Sequence, residues 1–165
     1  MLQSLIAKIM PISKPESSDA SRVLTEAGLR PTRQRKVVYE VICSEKDHPS
    51  AEVVHDRAKK RMEGISLATV YNCLESFVSS GLVRQLNFQR QSSRYCPVLQ
   101  DNPHFAHFHC RRTGNVYDVV LSEKIRKMIE EELPEGLRAE QVEITVAGKT
   151  DEENELSPNT PVFKE

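Results

Sequence analysis

Between Asp19 and Gly81 apolar residues return every third or fourth position, the period of helices with one buried face. Four such stretches follow one another. The first is capped by Asp19, turns Val23, Leu24 and Ala27 inward, and stops at Gly28. "RPTRQRKVVYEVICS" starts a second behind Thr32, with Val37, Val38, Val41 and Ile42 as its stripe. "HPSAEVVHDRAKKRM" makes a third, capped by Ser50 and followed by Gly64. "ISLATVYNCLESFVSSG" makes a fourth, with Ser66 as cap, Val70, Leu74, Phe77 and Val78 inward, and Gly81 as the stop.

The period then shortens. "LVRQLNF" and "SSRYCPV" read as two short strands around the polar turn "QRQS". Helices followed by a hairpin are the outline of a winged helix-turn-helix, whose last helix enters the major groove. Leu67, Ala68, Thr69, Tyr71 and Asn72 would form its outer face, a mixture suited to base-edge and phosphate contacts. A helical subdomain with an ordinary polar face fits the pattern equally well. Beyond Pro97 the pattern predicts strands at "HFAHFHC" and "GNVYDVV". It adds a helix at 122–133 that buries Ile125, Met128, Ile129 and Leu133, and a strand alternating Val142, Ile144 and Val146. Residues 1–18 and the tail from Lys149 carry no lasting periodicity and are expected to be a flexible arm and a disordered acidic end.

Composition changes this picture little. With 165 residues, 38% hydrophobic and 28% charged, the chain is long enough for a core and ordinary for a globular protein. No apolar run reaches membrane-helix length, and "MLQSLIAKIM" is interrupted by Lys8 without a cleavage site, so the cytoplasm is expected. Four cysteines there point to free thiols or metal ligands. Charge is more informative. The net of -1 divides into 13 Lys/Arg against 9 Asp/Glu over residues 19–98, 8 against 14 over residues 99–165, and 2 against 1 over residues 1–18. A basic half suits a polyanion partner.

Candidate chemistry concentrates in "RYCPVLQDNPHFAHFHCRRTGNVYD", which holds two cysteines, three histidines and two aspartates. Each has a bland reading. His48, upstream of it, can be a solvated residue at the start of a helix. Cys96 can be a small buried hydrophobe, and Asp118 an ordinary acid at a strand end. Imidazoles, thiols and carboxylates are all ligands for a divalent ion, but the pattern alone does not say which of them converge. His55, Cys43 and Cys73 lie within helices and read as structural.

"GLRPTRQR", "HPSAEVV", "ISLATVYNCLESFVSSGLV", "SSRY", "HFHCRRTGNVYDV" and "VEITVAG" follow in an order and spacing that resembles the ferric uptake regulator family, from about Asp19 to Gly148. The resemblance implies a winged-helix domain, a hinge and an α/β dimerisation domain, in a homodimer that binds double-stranded DNA at an inverted repeat when metal bridges the parts. The family's regulatory histidine falls on His48, its hinge carboxylate on Cys96 and its downstream acid on Asp118. The two histidines that usually stand five and three residues before the first cysteine fall on Phe105 and His107. A one-residue bulge would return His104 to the site; alternatively His109, on the face of His107, would serve. Tyr71 corresponds to a base-contacting position, with Thr69 and Asn72 beside it, and Arg30 reaches the backbone or minor groove. The pairs of cysteines that hold a structural zinc in many members read Cys110 with Thr113 and Thr150 with Glu153, so no such zinc is expected. A third, histidine-rich site meets Ala106, Glu140 and Gln141 where its ligands would stand.

The expectation is therefore an α+β chain: an arm at 1–18, a DNA-binding domain at 19–98, a dimerisation and metal-binding domain at 99–148, and a tail at 149–165. It is a regulator that carries one divalent ion per subunit and is not an enzyme. The thiol places zinc ahead of iron or manganese, whereas "TVYN" resembles peroxide-sensing members. A zinc enzyme or zinc buffer is the reading from another class, but no His/Glu pair has the spacing that catalysis needs.

Overall fold

The computed structural model describes residues 17–45, 47–88, 91–98, 105–139 and 142–149, without the side chains of Ser17, Ser18, Phe105 and Arg126. Residues 1–16 and 150–165 fall outside this set, whereas Ser17 and Ser18, expected in the arm, open the first helix. Helices α1 (Ser17–Glu26), α2 (Arg33–Ser44), α3 (Ala51–Lys59) and α4 (Leu67–Ser79) lead into β1 (Val83–Leu86) and β2 (Arg94–Pro97). Strands β3 (Phe105–Cys110) and β4 (Val116–Val120), helix α5 (Glu123–Glu131) and β5 (Ile144–Gly148) complete the α+β fold.

Three of the four expected caps form. Thr32, Ser50 and Ser66 accept the backbone N–H groups of Arg35, Val53 and Thr69, each satisfying a donor that a helix start leaves orphaned. Asp19 does not cap. Helix α1 begins at Ser17, and Asp19 lies inside its first turn, where it pairs with Arg22 at 2.7 Å. An acid one turn into a helix still favours the positive end of the dipole, so the residue type is right and its position is not that of a cap.

Leu24, Val38, Val41, Ile42, Val54, Val70, Leu74 and Phe77 are fully buried in one core beneath the helices. Tyr39 joins them beside the expected stripe, its ring edge-on to Phe77 at 5.8 Å. His55 is structural as expected, with Nε2 3.0 Å from the Ile65 carbonyl oxygen, which ties α3 to the start of α4. At the far edge of this core β1 and β2 pair antiparallel, with Arg84 opposite Cys96.

The second sheet has the order β4-β3-β5, antiparallel between β3 and β4 and parallel between β3 and β5. Helix α5 makes the crossover that a parallel pair requires. One expectation fails in the single chain: Ile125 and Met128 on α5 and Val146 on β5 are 40%, 53% and 48% exposed. Their alternation is real, but nothing among the described residues covers it. A smaller cluster of Leu86, Phe88 and Val116, with Cys96 packed against it, joins the hairpin to β4.

Candidate metal centre and nucleic-acid interface

His48 sits in the α2–α3 loop with φ 49°, in the left-handed region that side chains other than glycine seldom occupy. The loop is over-determined around it. Arg57 on α3 binds the carboxylates of Asp47 and Glu45. Pro49 is fully buried, and its carbonyl oxygen accepts the N–H of Tyr95 at 3.0 Å. Strain held by surrounding contacts is characteristic of functional positions. Here it turns the imidazole inward, so the reading of His48 as a solvated residue fails: the residue is 3% exposed.

Cys96 reaches the same point from β2. His107 and Asp118 are register partners on β3 and β4. One donor atom from each of His48, Cys96, His107 and Asp118 lies within 4.8 Å of the other three. Asp118 Oδ1 is 3.1 Å from His48 Nε2 and 3.6 Å from His107 Nε2. Ligand atoms around a tetrahedral ion with bonds of about 2.0–2.3 Å stand roughly 3.4–3.7 Å apart, so these spacings suit a bound divalent cation with small adjustments. His48 Nδ1, the ring nitrogen other than the one facing Asp118, is buried with no hydrogen-bond partner among the described residues.

The electrostatics point the same way. Burial works against a charge on His48, but the neighbouring Asp118 carboxylate and Cys96 overcome it and raise its pKa to about 9. Burial and the adjacent His48 charge push His107 down to about 4. One proton on His48 therefore does part of what a cation would do: it neutralises Asp118 across the junction of the two sheets.

His104 lies outside the described residues. His109 shares the face of His107 but does not join the cluster. Its Nε2 meets Gln91 Oε1 at 2.8 Å, and its ring stacks on Phe88 at 4.2 Å. Cys110 is fully buried.

Most of the residues expected to meet DNA lie on α4, away from the four cluster residues in sequence. Tyr71 is 44% exposed, and its hydroxyl donates to Glu52 Oε1 at 2.9 Å. Asn72 and Arg30 are exposed. Thr69 is half-buried and its hydroxyl is engaged with Ser66 Oγ at 2.8 Å, which makes it first a capping partner.

The sequence model of the ferric uptake regulator family matches residues 26–147. The chain belongs to the ferric uptake regulator family. Members are metal-responsive transcriptional regulators, which sets aside the enzyme reading. Among relatives, the peroxide operon regulator of Bacillus subtilis is 34% identical over 103 residues, covering 62% of this chain and 69% of its own length. The zinc uptake regulation protein of Mycobacterium tuberculosis is 36% identical over 96 residues, covering 58% and 72%. The crystal structure of the Vibrio cholerae ferric uptake regulator superposes with a TM-score of 0.69 at 28% identity, covering 80% of this chain and all of that one. As a member of the ferric uptake regulator family, the chain contains contacts that motif reading did not foresee, namely Phe88 and Gln91 against His109 and Glu52 against Tyr71. The one signal for the first pair was a second histidine at period two on β3. Among the described residues no helix is long and apolar enough to cross a membrane.

Proposed function

We propose that this ferric uptake regulator family protein is a cytoplasmic homodimer that binds an inverted-repeat DNA operator in a metal-dependent manner, with His48, Cys96, His107 and Asp118 as the ligands of one regulatory ion per subunit. The observation that carries the reading is the convergence of four donors from both halves of the chain at one buried point. In this reading residues 19–98 form the DNA-binding lobe and 99–148 the dimerisation lobe.

A divalent ion there supplies a positive charge shared by donors from both lobes. The residues do the rest. His48 and Cys96 belong to the lobe that carries α4, and His107 and Asp118 to the other, so simultaneous ligation favours one relative orientation of the two. Displacing the proton from His48 frees its Nε2 as a donor and leaves the Asp118 charge to the ion. A shift of the orientation from mostly wrong to mostly right takes roughly 5 kcal/mol of differential affinity, within reach of a metal site. Arg30, Tyr71 and Asn72 then face the duplex, with Thr69 holding the start of α4.

Zinc stands first among the metals, because two imidazoles, a thiol and a carboxylate suit a tetrahedral ion of intermediate softness. Iron or manganese in a peroxide-responsive regulator is second, supported by the "TVYN" run and by the likeness to the Bacillus protein. The test is duplex binding by the full chain with zinc, manganese or iron(II). His107→Ala and Asp118→Ala should remain folded but lose metal-stimulated binding. Full metal response in both variants refutes the assignment.

A further inference from the structure

We infer that Glu52 is a specificity-determining residue for DNA: by accepting the hydrogen bond of the Tyr71 hydroxyl, it makes the tyrosine tip an acceptor that reads base amino groups. The inference rests on the placement of Tyr71 at the duplex.

The geometry is specific. Tyr71 Oη donates to Glu52 Oε1 at 2.9 Å, linking the outer face of α4 to the first turn of α3. Glu52 is itself held, since its own backbone N–H and the Ser50 side chain also bond its carboxylate. The pair forms one wall of an open groove between α4 and the hairpin, with Gln85 and Ser93 opposite. Arg94 is the cation that acts on Glu52 here, and the carboxylate remains exposed. An exposed carboxylate beside a phosphate-lined partner opposes binding to every sequence. Its contribution must then lie in discrimination.

A free phenol donates or accepts, and so tolerates either kind of base edge. With its hydrogen committed to Glu52, the Tyr71 oxygen keeps only lone pairs toward the groove. In the major groove the donors are the amino groups of adenine and cytosine, whereas guanine N7 and O6 and thymine O4 are acceptors. An acceptor-only tip favours the first set and repels the second.

The experiment uses the full chain loaded with zinc and an inverted-repeat duplex enriched from random sequence by the wild-type protein. Each position is then varied, and adenine is replaced in turn by purine, which lacks the 6-amino group. The relevant position is the one whose preference Tyr71→Phe removes. There the wild type should lose roughly three- to tenfold in affinity on deletion of the amino group, the worth of one hydrogen bond. Glu52→Gln retains an acceptor for the phenol and should keep that discrimination. Glu52→Ala should abolish it while binding metal and melting as the wild type does. Both variants remove the same charge, so any general gain in affinity cancels between them. Wild-type discrimination in Glu52→Ala, or no position sensitive to Tyr71→Phe, overturns the inference. Wild-type operator binding by Tyr71→Ala would instead overturn the placement of Tyr71 on DNA.

Discussion

His107 and Asp118 stand opposite one another across the β3–β4 pair, and Asp118 Oδ1 bridges onward to His48 in the α2–α3 loop. The carboxylate is thus the centre of the cluster rather than its edge. Asp118→Asn preserves shape and removes charge. It should weaken metal binding by at least about 10–100-fold, the loss seen even for residues that only support ligands. Titration of the metal-free variant checks this, with melting as the control for folding. Wild-type affinity would exclude Asp118 as a ligand.

The metal-free protein should show a maximum of stability near pH 6.5. His48 has its pKa raised from 6.5 to about 9, so its ion pair contributes fully below 6.5 and is lost as pH climbs toward 9. His107 is lowered from 6.5 to about 4, so stability falls as pH drops through that window, because the unfolded chain then binds the extra proton. Melting temperature against pH measures both limbs. Metal affinity should meanwhile rise with pH up to about 9, by at least about tenfold per unit, since His48 gives up one proton and Cys96, ligating as a thiolate, gives up another.

Cys96→Asp replaces the soft donor by a hard one. Zinc affinity should fall and the relative response to manganese or iron(II) should rise. Competition titrations against a chelator of known affinity give the ranking. An unchanged order would reduce Cys96 to a packing residue against Leu86, Phe88 and Val116.

The uncovered face of α5 and β5 should hold the dimer without metal. Prolonged EDTA treatment should leave the sedimentation mass unchanged while abolishing operator binding. Met128→Glu, at a position 53% exposed in the single chain, should yield monomers of normal helicity. Dissociation of the wild type in EDTA would require a further structural ion.

The helices and three caps were legible because each depends on residues within a few positions of one another: Thr32 on Arg35, Ser50 on Val53, Ser66 on Thr69. The inward faces of the first four helices followed from period alone, although Tyr39 escaped because it lies beside the stripe that Val38 and Val41 define. The apolar face of α5 is legible in the period of Ile125 and Met128, but period alone does not say whether a partner or the same chain covers it. The metal cluster was legible only through resemblance. Nothing local in "KDHPS" or "VYDVV" says that His48 and Asp118 meet; that depends on a left-handed turn at His48 and on how β4 packs against the hairpin. The Phe88–His109 stack and the Glu52–Tyr71 bond join separate elements and left no trace in periodicity.

The hydrogen bond from Tyr95 N–H to the Pro49 carbonyl oxygen fastens the His48 loop to the strand that bears Cys96. In the proposed site His48 and Cys96 therefore travel as one chelating arm, and His107 with Asp118, zipped into neighbouring strands, as the other. A ligand set built from two rigid arms behaves as a linked pair of weak binders, in which the second engagement is intramolecular and governed by effective concentration. That quantity depends on the length and stiffness of the connection beyond Pro97, not on the donor atoms. In the proposed site the threshold of response can accordingly be shifted by residues that touch no ion, without altering the donor set that decides which metal is preferred.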